Sequence, residues 1–352
     1  MTLRLVLVGF GNVARRFVEL LPGLAPRFLD ESGFECRVVG IATRRHGCVL
    51  ASERLDPVAA AAHVAAGGAL SDLDGTRACG DVFSLIDVAA REAPQGALVV
   101  VETTTLDVVS GEPAVSHVRA GLAAGAHVIT ANKGPVACAY HALRAEALRA
   151  GRCFFFEGAV LDGIPVFNLV RETLPAVEIT SFRGIVNSTT HHILTQMESG
   201  RTFDEALVDM QRAGIAEADP SLDVEGWDAA AKVAALSNVL LGGRLTPRAV
   251  ERQGIVGVSR ERVLDARDRG LRLRLVASGW KEDGLVRGRV ALEELSATDP
   301  LAHLGPEGNA LALETDLAGG ILIEERLGGL TQTAYALVSD LVAVARRTSA
   351  ER

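Results

Sequence analysis

Five carboxylates fall within residues 217–228 (Glu217, Asp219, Asp223, Glu225 and Asp228), and Lys232 follows Asp228 by four positions. Read as a helix, this stretch brings Asp228 and Lys232 onto one face, so that an ammonium stands beside a carboxylate. Such a pair can stabilise and protonate an oxygen that gains negative charge during a reaction, and the surrounding carboxylates can hold a small polar substrate that carries positive charge. A second signature lies far upstream. Gly9-Phe10-Gly11-Asn12-Val13-Ala14 fits the G-x-G-x-x-G/A turn between a strand and a helix. Gly9 permits the tight turn, Gly11 lets backbone approach a pyrophosphate at the positive helix N-terminus, and Ala14 allows close helix–strand contact. One region built for a dinucleotide and another for a small charged substrate fit an oxidoreductase.

The second strand adds detail about the dinucleotide. A protein that binds NAD usually places an acidic residue at its end, to bond the ribose hydroxyls. Here it ends Ala42-Thr43-Arg44-Arg45. Paired guanidinium groups at Arg44 and Arg45 match a 2′-phosphate, which favours NADP(H) over NAD(H). Thr103, Thr104 and Thr105 close a valine-rich strand at the sheet's carboxyl edge, where Thr103 and Thr104 could offer hydroxyls to the nicotinamide ribose.

These residues need a scaffold. Residues 3–10 form an apolar run broken only by Arg4, as in a strand buried on both faces of a parallel sheet. Further strands are expected at residues 36–43, 97–102, 126–131 and 153–157, alternating with helices that include 113–123 and 135–148; residues 49–93 read as helices with loops. This alternation predicts a doubly wound, Rossmann-type α/β domain with a parallel sheet. Beyond Gly158 the rhythm changes. A long strand at 177–186 precedes helices at 190–198, 203–213, 225–241 and 261–269, then strands near 271–278, 286–292, 310–314 and 320–325. This predicts an α+β domain on a mostly antiparallel sheet. An amphipathic helix at 331–346 is expected to return to the first domain, which would comprise residues 1–156 and about 327–352, with 157–326 as the substrate-binding and dimerisation domain.

The chain has 352 residues, 48% hydrophobic and 23% charged, with a net charge of −8 and no long basic run. Nucleic acid and anionic membranes are poor partners for that charge balance. Five cysteines without CxxC spacing fit reduced thiols rather than a disulfide framework or a zinc site. No apolar run approaches the roughly 20 residues that span a bilayer, and the N-terminus reads as a strand rather than a leader, so a cytoplasmic location is expected.

Four more stretches carry a family likeness: Gly111-Glu112-Pro113-Ala114 through Thr130-Ala131-Asn132-Lys133-Gly134-Pro135, Asp162-Gly163-Ile164-Pro165-Val166-Phe167-Asn168-Leu169, Gly184-Ile185-Val186-Asn187-Ser188-Thr189-Thr190, and the acidic segment containing Glu217-Ala218-Asp219-Pro220. With the Gly9 turn, their order and spacing resemble the homoserine dehydrogenase family across nearly the whole chain, in its short form without a kinase half or regulatory module. The resemblance implies interconversion of L-aspartate 4-semialdehyde and L-homoserine with a nicotinamide cofactor, on the route to threonine and methionine. It implies that Lys232 shuttles the proton to the aldehyde oxygen and that Lys133 is a second site lysine beside the cofactor. Glu217 and Asp228 would bind substrate, with Asp223 in support and Gly214 contributing backbone. Two lysines in one enclosed site would depress each other's pKa. The turn containing Glu157, Val160, Asp162 and Ile164 resembles the family's sodium loop, and relatives assemble as homodimers or dimer-based tetramers.

The chain departs from the family pattern at His191-His192, at Ser188 and at the turn formed by residues 325–329. These departures leave open two rivals, a dehydrogenase of another small amino or hydroxy acid and a catalytically silent NADPH-binding relative. The two histidines are expected to serve packing rather than ligation.

Overall fold

The computed structural model describes residues 1–51, 53–212 and 219–350. Backbone contacts divide the chain into two compact units, Met1–Pro135 with Ala139–Pro165 and Gly329–Arg352, and Val136–Cys138 with Val166–Gly328.

The first unit runs β1 (Thr2–Val8), α1 (Asn12–Ser32), β2 (Glu35–Ala42), β3 (Cys48–Ala51), α2 (Pro57–Ala65), β4 (Thr76–Ala78), α3 (Val82–Glu92), β5 (Leu98–Glu102), α4 (Ala114–Ala123), β6 (His127–Thr130), α5 (Lys133–Ala150) and β7 (Phe154–Phe155). Its seven strands lie in the order β4-β3-β2-β1-β5-β6-β7. The chain builds outward from β1 in one direction and then restarts at β5 on the other side, so the topological switch falls between β1 and β5, where α/β sheets bind ligands. Every residue of β5 is buried, because helices cover both faces of the sheet. Val99 and Val101 join the core cluster that contains Phe17 of α1. Val100 faces the opposite way, toward Gly121 of α4.

The sheet is mixed rather than wholly parallel. β3 pairs antiparallel with β2, and β4 pairs antiparallel with β3. Residues 49–93, expected as helices with loops, therefore hold strand as well. Strands of four and three residues are too short for an alternation signal to separate from loop.

The second unit contains α6 (Val166–Thr173), β8 (Ile179–Ile185), α7 (Ser188–Glu198), α8 (Phe203–Arg212), α9 (Ser221–Val224), α10 (Trp227–Leu240), β9 (Glu251–Arg252), α11 (Arg260–Asp268), β10 (Arg272–Glu282), β11 (Leu285–Leu295), β12 (Asn309–Thr315) and β13 (Gly320–Glu325). The sheet order is β13-β12-β8-β10-β11-β9, antiparallel except for the β11–β9 pair. β10 and β11 extend past their expected ends and meet at Asp283-Gly284, both with positive φ (49° and 76°). That conformation is the two-residue hairpin turn whose twist matches the strands it joins. Helices α7, α10 and α11 pack on β10.

The last helix, α12 (Leu330–Ala350), belongs to the first unit and packs along α1. Leu337, Leu341 and Val344 enter the same core as Leu3, Leu5 and Phe17. No helix among the described residues is long and apolar enough to cross a membrane.

Candidate active site

Each unit carries one chemical cluster. In the first, β1 stops at Val8 and the chain turns through Gly9, whose φ is 86° and whose N–H donates to the Ala42 carbonyl at 2.9 Å. A Cβ here would lie 2.8 Å from the Thr103 carbonyl carbon and oxygen. Both the left-handed backbone and the close approach require glycine. Gly11 differs. Its φ of −79° suits any residue, and a Cβ would meet nothing within 4 Å. The protein's own packing does not demand glycine there, whereas an approaching phosphate would. Helix α1 starts at this point with no side-chain cap and no acidic residue in its first turn, which leaves its positive end available to an anion.

Phe10 and Ala14 are buried in the core and Val13 packs against it, so only their backbone can serve a ligand. The Asn12 Oδ1 accepts from Arg15 at 2.8 Å. Arg44 and Arg45 are exposed in the turn between β2 and β3, where the Thr43 N–H donates to the Gly47 carbonyl at 2.9 Å.

The Thr103 hydroxyl donates to the Gly9 carbonyl at 3.0 Å, fastening the turn across the switch point. The Thr104 hydroxyl donates to Glu102, a fully buried carboxylate at the end of β5 that also accepts from the Thr104 N–H (2.8 Å) and the Thr130 hydroxyl (2.7 Å). Asn132 caps α5 through Gly134 N–H at 2.8 Å and donates to the Thr104 carbonyl at 2.9 Å. Lys133 is the first residue of that helix. Thr130 and Asn132 enter the sequence reading only as part of the motif at residues 130–135 and Glu102 only as a strand end, although a lone carboxylate ending a valine run and an Asn between strand and helix are readable signals of a site.

In the second unit, Asp228 lies in the first turn of α10 and Lys232 one turn later. Their charged atoms are 3.3 Å apart, with side chains only 14% and 13% exposed. This burial separates the pair from an exposed helical ion pair, which would contribute about 0.3–0.5 kcal/mol. The Lys232 ammonium also donates to the carbonyl of Val186, at the break between β8 and α7. Arg252 stacks on Trp227, 3.8 Å from the ring centroid, beside the start of α10.

Asn187 donates to Asp223 at 2.7 Å and to Asp228 at 2.9 Å. Burial pushes the Asp223 carboxyl above its usual range and the neighbouring Asp228 adds to the effect, while the Asn187 amide, Lys232 and Thr189 oppose it. Two carboxylates and one ammonium give the cluster an excess of negative charge when all three are ionised. A substrate ammonium can balance that charge. Gly214 and Glu217, expected to complete this site, lie outside the described residues.

The turn after β7 is largely buried at Glu157, Val160 and Ile164. Asp162 adopts a positive φ of 41°, and its carboxylate accepts from the Thr333 hydroxyl at 2.9 Å. The Glu157 N–H donates to the buried carboxylate of Asp340 at 2.8 Å. Among the described residues no group of three or more His, Cys, Asp or Glu side chains could hold a metal ion. His191 is buried on α7 with Nε2 2.8 Å from the Gly305 carbonyl. Burial, and then the Arg274 charge, lower its pKa to about 4.

A glycine turn at the switch point of an α/β sheet, followed by an α+β unit bearing a buried acid–lysine cluster, defines a two-unit, nucleotide-dependent oxidoreductase. Residues 9–157 match the profile described as homoserine dehydrogenase, NAD binding domain, and residues 165–342 match that of homoserine dehydrogenase. The chain belongs to the homoserine dehydrogenase family, and its first unit carries the family's pyridine-nucleotide domain. It is 36% identical over 340 residues to an NAD(+)-dependent homoserine dehydrogenase from Pseudomonas canavaninivorans, covering 96% of this chain and 95% of that one. It is 34% identical to a homoserine dehydrogenase from Methanocaldococcus jannaschii, covering 98% and 99%. Among solved structures, a putative homoserine dehydrogenase from Archaeoglobus fulgidus superposes with a TM-score of 0.83 at 29% identity, covering 97% of this chain and 99% of that one.

Proposed function

We propose that this protein interconverts L-homoserine and L-aspartate 4-semialdehyde, on the route to threonine and methionine, with NADP(H) as the preferred cofactor. The observation that carries the reading is the buried Asp228–Lys232 pair with Asp223 beside it. Asp223 and Asp228, joined by Glu217, bind the substrate's ammonium and hydroxyl through charge-assisted hydrogen bonds. Lys232 takes the hydroxyl proton during oxidation and returns it to the aldehyde oxygen during reduction, where its positive charge also offsets the developing alkoxide. Lys133 is the second catalytic cation. Gly214 contributes backbone to the same substrate.

The bound nicotinamide supplies or accepts the hydride. The backbone of residues 9–14 would hold its pyrophosphate, and the Thr103–Thr104 edge would border the nicotinamide ribose. Arg44 and Arg45 would pair with a 2′-phosphate, a preference supported by the absence of a carboxylate at the end of β2. Carbonyl oxygens of Glu157, Val160, Asp162 and Ile164 would bind a sodium ion. The working form is a cytoplasmic homodimer or a dimer-based tetramer.

The test is homoserine oxidation by the purified protein with NADP and NAD supplied separately, at defined sodium and potassium, beside a panel of small aldehydes and ketones. Turnover that requires homoserine or aspartate semialdehyde is expected, with NADP the better cofactor. Turnover of another member of the panel alone, or of none, overturns the reading. Light scattering on the same sample reads the assembly.

A further inference from the structure

Asn187 sits where β8 ends and α7 begins, and its amide is used at every available position. Oδ1 accepts from the Thr190 N–H at 2.9 Å and from the Thr190 hydroxyl at 3.0 Å, which caps the helix. Nδ2 donates to Asp223 at 2.7 Å and to Asp228 at 2.9 Å. The cap fixes the orientation of the amide. A flipped Asn187 would turn its oxygen toward two carboxylates and its NH₂ toward the Thr190 N–H, leaving donors against donors and acceptors against acceptors. The two carboxylates come from different elements, Asp223 from α9 and Asp228 from α10. Among the described residues the charged groups that act on Asp223 are Asp228 and Lys232, beside the polar side chains of Asn187 and Thr189.

Carboxylates brought this close resist being ionised together. Lys232 offsets part of the repulsion, but its ammonium is shared between Asp228 and the Val186 carbonyl. We infer that Asn187 is a positioning residue for the substrate site, holding Asp223 and Asp228 side by side as ionised carboxylates through the two hydrogens of one amide. The inference rests on the proposed function, in that these carboxylates bind the substrate's polar groups. It goes beyond that reading by giving a helix cap control over their charge and spacing. The break after β8 thereby sets the affinity of the site.

Asn187→Ser tests it. Serine caps a helix about as well as asparagine but cannot reach both carboxylates with two donors. Hydrogen bonds to an ionised carboxylate favour that form, so their loss raises its pKa, and the acid limb of kcat/KM for homoserine should move to higher pH by about one unit. Along that limb kcat/KM at a given pH should fall by up to about tenfold, narrowing to within about threefold on the alkaline plateau, while KM for the dinucleotide stays within about twofold. An unchanged profile overturns the inference. So does a loss that is equal at every pH and matched by weaker dinucleotide binding, since that marks general damage. A second readout needs no turnover. Carboxyl carbons of labelled aspartate, assigned with Asp223→Asn and Asp228→Asn, should show the later of the two titrations displaced upward by about one pH unit in Asn187→Ser. Unmoved midpoints overturn the inference even in an active enzyme. Displaced midpoints in a protein that oxidises no homoserine uphold it and refute the substrate assignment alone.

Discussion

The ammonium of Lys232 donates to the carbonyl oxygen of Val186, a residue 46 positions earlier in the chain. Together with Asp228 this contact fixes two of the three directions in which the ammonium can donate, and the proposed function assigns the third to a reacting oxygen. A positioned proton donor contributes about 10²–10⁴-fold to turnover. Lys232→Ala should therefore lower kcat by about that factor and leave dinucleotide affinity, read by fluorescence titration, within about twofold. Full activity in the variant would remove Lys232 from the chemistry.

The two glycines of the first turn should separate folding from binding. Gly9→Ala puts a Cβ 2.8 Å from Thr103 backbone at a φ of 86°, which costs about 1–3 kcal/mol and lowers the melting temperature. Gly11→Ala meets nothing within 4 Å, so its stability should change by less than about 0.5 kcal/mol. Its dinucleotide affinity should nevertheless fall by about tenfold or more, because the methyl group occupies the path of the pyrophosphate. A stable Gly11→Ala protein with undiminished affinity would move the phosphate site elsewhere.

Replacing Arg44 and Arg45 together by alanine tests cofactor choice. Both side chains are exposed in the β2–β3 turn, so folding should be unaffected. Loss of a charge-assisted phosphate contact costs about 1.5–3 kcal/mol, so kcat/KM with NADP should drop about tenfold or more while that with NAD stays within about twofold. Equal losses with both cofactors would exclude a 2′-phosphate role.

Two buried histidines set a stability limit on the acid side. Burial is the main cause that lowers the pKa of His191 and of His127 to about 4, with Arg274 and Arg152 respectively reinforcing it. Both rings are neutral in the fold, and an unfolded chain protonates them near 6.5. The unfolded state therefore binds more protons below pH 6.5, and stability is full above that value and declines as pH falls toward 4. Urea denaturation at pH 7, 6 and 5 should show the decline, of order 1 kcal/mol per pH unit for each ring once below pH 6.5. Proton-detected titration of either ring with a midpoint near 6.5 in the folded protein would contradict it.

The sequence made the frame of the first unit readable wherever burial on both faces produced a nearly unbroken apolar run, as in β1, interrupted only by Arg4, and β5. It failed at β3 and β4, because β3 pairs with β2 through the turn around Arg44 and Arg45 and β4 pairs only with β3, rather than through a pattern inside seven residues. The Asp228–Lys232 pair was legible because helical spacing is local. Asn187 was not read as part of that site because its partners stand 36 and 41 positions away in the chain, and only the pairing of β8 with β10, on which α10 packs, brings them together. The same applies to Glu102, which meets Thr130 across two adjacent strands.

The helix α12 also bears on how the protein is made. Residues 329–350 complete the core around Phe17 and supply Asp340 to the Glu157 backbone, yet they leave the ribosome only after the whole α+β unit. The sheet that begins the chain must wait, partly unsheathed, while later residues are translated and can already fold. Its α1 and β6, which α12 covers in the finished fold, would be the surfaces that a chaperone shields during synthesis.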